Sequence, residues 1–141
     1  MDLEELFFKE LLEASKRVRE EIALRKRPKV YVISKYAGDT KKNVANAITY
    51  CKEVISKGKQ PIASHLLYPQ MLDDNFPEQR KMGLAFVLNL LDMCDEAWVF
   101  TDDFEDISEG MDLEIRECFR RDIPVRFITG GKNADTSTGR Y

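Results

Sequence analysis

No uninterrupted apolar run in this chain approaches the ~18 residues a membrane-spanning helix needs, so no helical span is expected. The N-terminus is acidic from Asp2 onward, which excludes the basic opening of a signal peptide. Cysteine is scarce. Cys51, Cys94 and Cys118 form no CxxC pair and no metal-ligand spacing, so neither a disulfide framework nor a zinc site is expected. All three fall in helical segments as small apolar residues, which fits a reducing cytoplasm. A single histidine, His65, builds neither a triad nor a metal site by itself. Positive charge is not in excess: 25 acidic and 22 basic side chains leave a net charge of −3, against a surface built for nucleic-acid backbones. The one basic stretch, Arg17 to Lys29, reads as a solvated helix end and linker. The glycines match neither a dinucleotide fingerprint nor a Walker A loop, since residues 36–40 (Tyr-Ala-Gly-Asp-Thr) lack the required pattern. Repeats and low-complexity segments are absent. No cofactor, metal, nucleic acid or membrane is therefore expected.

What the chain does contain is an alternation of two hydrophobic periods. Leu3, Leu6, Phe7, Leu11, Ala14, Val18 and Ile22 recur at helical spacing and predict a helix over residues 2–26, ended by Pro28. That helix must cover either the sheet or another subunit. Residues 29–34 (KVYVIS) predict a buried parallel strand. A helix over 41–57 follows, with Gly58 suited to its C′ position. A short strand at 60–63 leads into a long polar and aromatic connection over 64–76, a length that usually covers a site. Pro77 opens a helix to about residue 94. A strand at 97–101, an acidic loop, a helix at 109–121 and a strand at 125–128 complete the pattern. Residues 130–141 are polar and aperiodic and predict a flexible tail behind one domain of residues 1–129, whose first 27 residues hold the extra helix.

Strands alternating with helices imply a parallel sheet with right-handed crossovers. The expected architecture is α/β: a flavodoxin-like, Rossmann-like three-layer sandwich on a four-stranded parallel sheet of order 2-1-3-4. Ligands should then bind at the switch point between the first and third strands, where residues 31–39, 64–76 and 102–114 would surround one cleft. A phosphate could meet backbone N–H groups at the helix start after Thr40. His65 falls at this edge, as a ligand contact or an ordinary loop histidine. Asp73 and Asp74 read as a ribose or cation contact or as loop caps. Glu114, four residues after Gly110, reads as a site carboxylate or as a surface glutamate favourable to the helix dipole.

Three segments taken together resemble the nucleoside 2-deoxyribosyltransferase superfamily, which includes nucleoside 5′-monophosphate glycohydrolases. They are Lys29-Val-Tyr-Val-Ile-Ser34, Cys94-Asp-Glu-Ala-Trp-Val-Phe100, and Gly110-Met-Asp-Leu-Glu114-Ile with Ile123-Pro-Val after it. The chain is most similar to a subgroup of small bacterial and viral proteins with an SxGMxxEI motif and a PxAxHLLYPQ-like loop. The resemblance spans most of residues 29–128. It implies that Glu114 attacks C1′ of a nucleoside and that Tyr31 positions it. Ser34, Tyr36, Gly38, His65, Tyr68, Ser108, Gly110 and Met111 would contact substrate, with Tyr36 or Tyr68 stacking on the base. A homo-oligomer is also implied, because sites in this superfamily are often completed by a neighbouring subunit. Two positions depart from the pattern. Val87 stands where characterised members carry an aspartate, and Arg116 where glycine is common two residues after the nucleophile. Asp92, Asp106 and Asp112 are the other possible acids.

Three functions are compatible with this reading. One is an enzyme that cleaves or transfers the N-glycosidic bond of a nucleoside or nucleotide through a glutamate. Another is a module that binds or sequesters a nucleotide-derived molecule without turnover. The third is a structural protein that oligomerises through its first helix.

Overall fold

The computed structural model describes residues 1–129 and the backbone of residues 134–138. In chain order the elements are α1 (Leu3–Arg25), β1 (Lys29–Ile33), α2 (Thr40–Ser56), β2 (Gln60–Ile62), α3 (Pro77–Asp92), β3 (Glu96–Thr101), α4 (Glu109–Arg120), β4 (Val125–Thr129) and β5 (Ala134–Thr138). Strands β2-β1-β3-β4 are parallel and stand in the expected order. This is the flavodoxin-like topology that the alternating periods imply. Pro61 is tolerated in β2 because β2 is an edge strand, where a missing N–H breaks no inner ladder. Gly58 takes φ +77° just past α2, and its N–H bonds Ile55 O at 2.9 Å. That left-handed turn after a helix costs glycine little.

Side chains alternate across β1 and so build two cores. Val30 and Val32 join Trp98, Phe100 and Val54 beneath α2. Tyr31 and Ile33 join Val99, Leu91, Met111, Ile115 and Cys118 beneath α3 and α4. Helices therefore lie on both faces, and among the described residues α2 is the α-helix packed on its side. Trp98 is only 1% exposed there, closed over partly by Lys59 Nζ and the Arg126 guanidinium, 5.4 and 5.0 Å from its ring centre. Its indole N–H donates to Glu96, which also pairs with Lys59 at 3.0 Å.

One expectation is corrected, and one alternative left open is narrowed. Residues 134–138, read as part of a flexible tail, pair antiparallel with β4 as a fifth strand, Val125 opposite Thr138 and Thr129 opposite Ala134. Their polar composition hides this because backbone pairing with an open strand edge needs no apolar alternation. The rest of the tail, residues 130–133 and 139–141, lies outside the described residues. The narrowed alternative concerns α1. Among the described residues it does not cover the sheet: none of its side chains is buried, and only Ala14 and Ile22 are half-buried. No helix among the described residues is long and apolar enough to cross a membrane.

Candidate functional site

The strand period that buries Tyr31 on the α4 side also aims its hydroxyl at the C-terminal edge of the sheet. That hydroxyl hydrogen-bonds Ser64 Oγ at 2.7 Å, in the first turn after β2. Helix α4 starts at Ser108, whose side chain accepts from Met111 N at 3.2 Å. Its buried positions Met111, Ile115 and Cys118 define an inner face. Glu114 lies three residues after Met111 and four before Cys118, and so falls on that face. It is not the surface glutamate that dipole arguments alone allow. Part of the residue remains open, but Oε2 is sealed from solvent and has no hydrogen-bond partner.

This environment decides the protonation states. Burial lifts the Glu114 pKa from 4.5 to about 7, and a hydrogen bond from Tyr31 pulls the other way. Burial first, and then the Glu114 charge, push the Tyr31 phenol well above its ordinary value, so it stays a proton donor. Cys118 is pushed up to about 12 by burial, reinforced by Glu114, so it is no thiolate nucleophile. Folding thus retains a carboxyl group whose ionised form is poorly solvated. Orphaned buried polar atoms are rare in native proteins and cost about 1–3 kcal/mol, more when charged.

The single expected cleft is divided into separate cavities, because the loop after β1 stands across it. One, of about 200 Å³, is lined by Tyr36, Ser64, His65, Tyr68, Arg80 and Val87, among others. Ser64 thus links its wall directly to Tyr31. His65 is buried, with Nε2 3.1 Å from Ser34 Oγ, and burial lowers its pKa so that the ring stays neutral near pH 7. The Tyr36 ring lies 6.2 Å from the imidazole, and Tyr68 leans on Phe86 at 5.0 Å. Another cavity, about 320 Å³, sits at the switch point, with Lys35, Gly38, Asn43, Tyr50, Asp106 and Met111 in its wall. Lys35 and Asp106 pair at 2.9 Å and tie the loop after β1 to the loop after β3. Asn43 Nδ2 donates to the carbonyls of Tyr36 and Ala37, each at 3.0 Å, and holds the first of these loops.

The predicted residues therefore divide. Tyr31 and Glu114 meet. Tyr36, His65 and Tyr68 line the smaller cavity, and Ser34 bonds His65. Gly38 and Met111 belong to the larger one, and Met111 is also core. The helix start after Thr40 is not a free anion site, because the Asp39 carboxylate caps it, accepting from Lys42 N at 3.2 Å. Asp73 accepts from Asn75 N and acts as a loop cap. The alternative acids are engaged elsewhere: Asp92 with Arg121, Asp106 with Lys35, Asp112 with Arg116. Val87 lines the smaller cavity and supplies no proton there. Sequence reasoning missed Ser64 as Tyr31's partner. Its only signal was its place one residue past a strand.

Gly110 is informative for what it does not touch. Its φ is not in the left-handed region, and an added Cβ would meet nothing within 4 Å. Neither backbone strain nor packing within the chain demands glycine at this helix start. Gly110→Ala is expected to leave stability unchanged or raise it by up to about 1 kcal/mol, in urea unfolding. A simultaneous loss of ligand affinity would assign the open space to a ligand.

A family model described as a domain of unknown function (DUF7768) matches residues 28–128, and the chain belongs to that family. The match takes in Tyr31, Ser64, Glu114 and both cavities and leaves out α1. No curated protein matches the chain.

Proposed function

We propose that this protein binds a nucleoside, nucleotide or nucleotide-derived molecule at the C-terminal edge of its sheet, and that Glu114 acts on the sugar. The supporting observation is the sealed, partnerless Oε2 of Glu114, in a carboxyl group that also interacts with the Tyr31 phenol. A buried carboxyl group with a raised pKa, connected through Tyr31 and Ser64 to a cavity wall, fits the physical profile of a reacting group. The segments resembling nucleoside 2-deoxyribosyltransferases supply the chemistry. A Glu114 oxygen forms a bond to C1′ while the C1′–N bond breaks, and its electron pair leaves with the base, which takes a proton from water. A second water, or an acceptor hydroxyl, then displaces the glutamyl ester and restores the carboxylate. Tyr31, fixed by Ser64, orients the attacking group, and Tyr36 or Tyr68 offers a face to the base.

One observation favours a second reading, binding without turnover. With Val87 where the resemblance has an acid, departure of the base forgoes help worth typically ~10²–10⁴-fold. Incubation with deoxynucleosides, their monophosphates and NAD-type dinucleotides, followed by chromatography for free base, separates the two. Base release that Glu114→Gln abolishes supports the enzyme. Intact ligand recovered from the purified protein after heating, without base release, supports sequestration. If no nucleotide binds and none is released, both readings fall.

A further inference from the structure

Helix α1 is the part of the molecule left without a packing partner among the described residues. It spans 23 residues from a complete capping box, in which Asp2 accepts from Glu5 N and Glu5 reaches back to the Asp2 N–H. Yet Phe7 is 61% exposed, Leu11 53% and Val18 52%, with Phe8 and Leu24 also exposed. Helices in proteins owe most of their stability to burying an apolar face, and contiguous exposed apolar surface marks an interaction site. Phe7, Leu11, Ala14 and Val18 follow a four-three-four spacing, the seam of a two-helix coiled coil. What could cover this seam is constrained by its charge. Residues 2–13 carry five carboxylates and one lysine, whereas residues 16–27 carry six cations and two glutamates.

We propose that α1 docks on α1 of a second copy of this chain, antiparallel. A parallel pair would set acidic half beside acidic half and basic beside basic. Turning one helix round sets each acidic half against the partner's basic half. One register satisfies the apolar positions and the Glu10–Arg17 pair together. With Leu11 opposite Ala14 of the second copy, Phe7 falls opposite Val18. Glu10 and Arg17 then flank the seam as mutual neighbours, and Leu3 falls opposite Ile22. Every such contact occurs twice by the two-fold axis, as in an isologous interface. In the parallel alternative Glu10 neighbours Ser15 and gains nothing. This inference rests on α1 alone and is independent of the Glu114 reading.

Sedimentation equilibrium of the full chain tests it, with near-ultraviolet circular dichroism of Trp98 confirming that each variant keeps the sheet domain. The wild type is expected to be a dimer, and Leu11→Asp a monomer. Glu10→Arg or Arg17→Glu alone should weaken the dimer about tenfold, because two symmetric pairs turn from attraction to repulsion. The double variant should return to within about threefold of wild type, since the swap restores opposite charges. A monomeric wild type overturns the proposal. So does a dimer indifferent to Leu11→Asp, or one that the single reversals leave unchanged, or one that the double reversal fails to rescue.

Discussion

Glu114→Gln is expected to stabilise the ligand-free protein by about 3 kcal/mol at alkaline pH while leaving it nearly unchanged in acid. The sign follows from proton binding. The folded state holds the Glu114 proton up to about pH 7, whereas an ordinary glutamate, like the unfolded one, releases it near 4.5. Between those values the folded state binds more protons, so its stability falls as pH rises. Below that window both states are protonated and there is no penalty. Above it both are ionised and the penalty is complete. Glutamine keeps the shape and loses the titration, so the gap between variant and wild type should open from roughly pH 4.5 to 7 and then stay constant. Urea unfolding of both proteins at several pH values measures it. A gap that does not vary with pH would show that the carboxyl group is solvated in the free protein. A bound ligand that meets Oε2 should shrink the gap, because the cost of the lonely carboxylate is then offset.

Trp98→Ala should cost about 3–5 kcal/mol, the largest loss expected from a single side chain here. The indole lies at the centre of the core beneath α2, against Phe100 at 6.3 Å between ring centres. Lys59 and Arg126 cover it in place of a second helix. Removing the ring opens a void and also strips two cations and Glu96 of the surface they were built on, so collapse cannot fill the gap cheaply. Trp98→Phe should lose much less, since a ring remains for the cations to cover. Far-ultraviolet circular dichroism in urea reads both. Because Trp98 and Glu114 lie on opposite faces of the sheet, the pH dependence assigned to Glu114 should survive in Trp98→Phe.

The order of elements and the parallel sheet were legible in the chain itself. Alternation in KVYVI, helical spacing from Val44 to Val54, Pro28, Gly58 and Pro77 are local signals, and each acts through backbone geometry within a few residues. The likeness around Gly110 and Glu114 also singled out Tyr31. What needed the tertiary structure was everything set by which distant segments meet. Glu114 looks like any glutamate in the early turns of a helix, and becomes a carboxyl group with a raised pKa and one partnerless oxygen because the inner face of α4 packs it against the core around Tyr31. His65 reads as a loop residue, and is buried on Ser34 because the chain after β2 folds back over β1. The one expected cleft is divided because the loop after β1, held by Asn43, stands across it. The apolar stripe of α1 was visible from its spacing, but a stripe specifies only that something covers it. That the sheet does not, among the described residues, was decided by the fold, because α2, α3 and α4 already pack on its two faces. Periodicity determined which face of each element is apolar, and packing determined what each face meets.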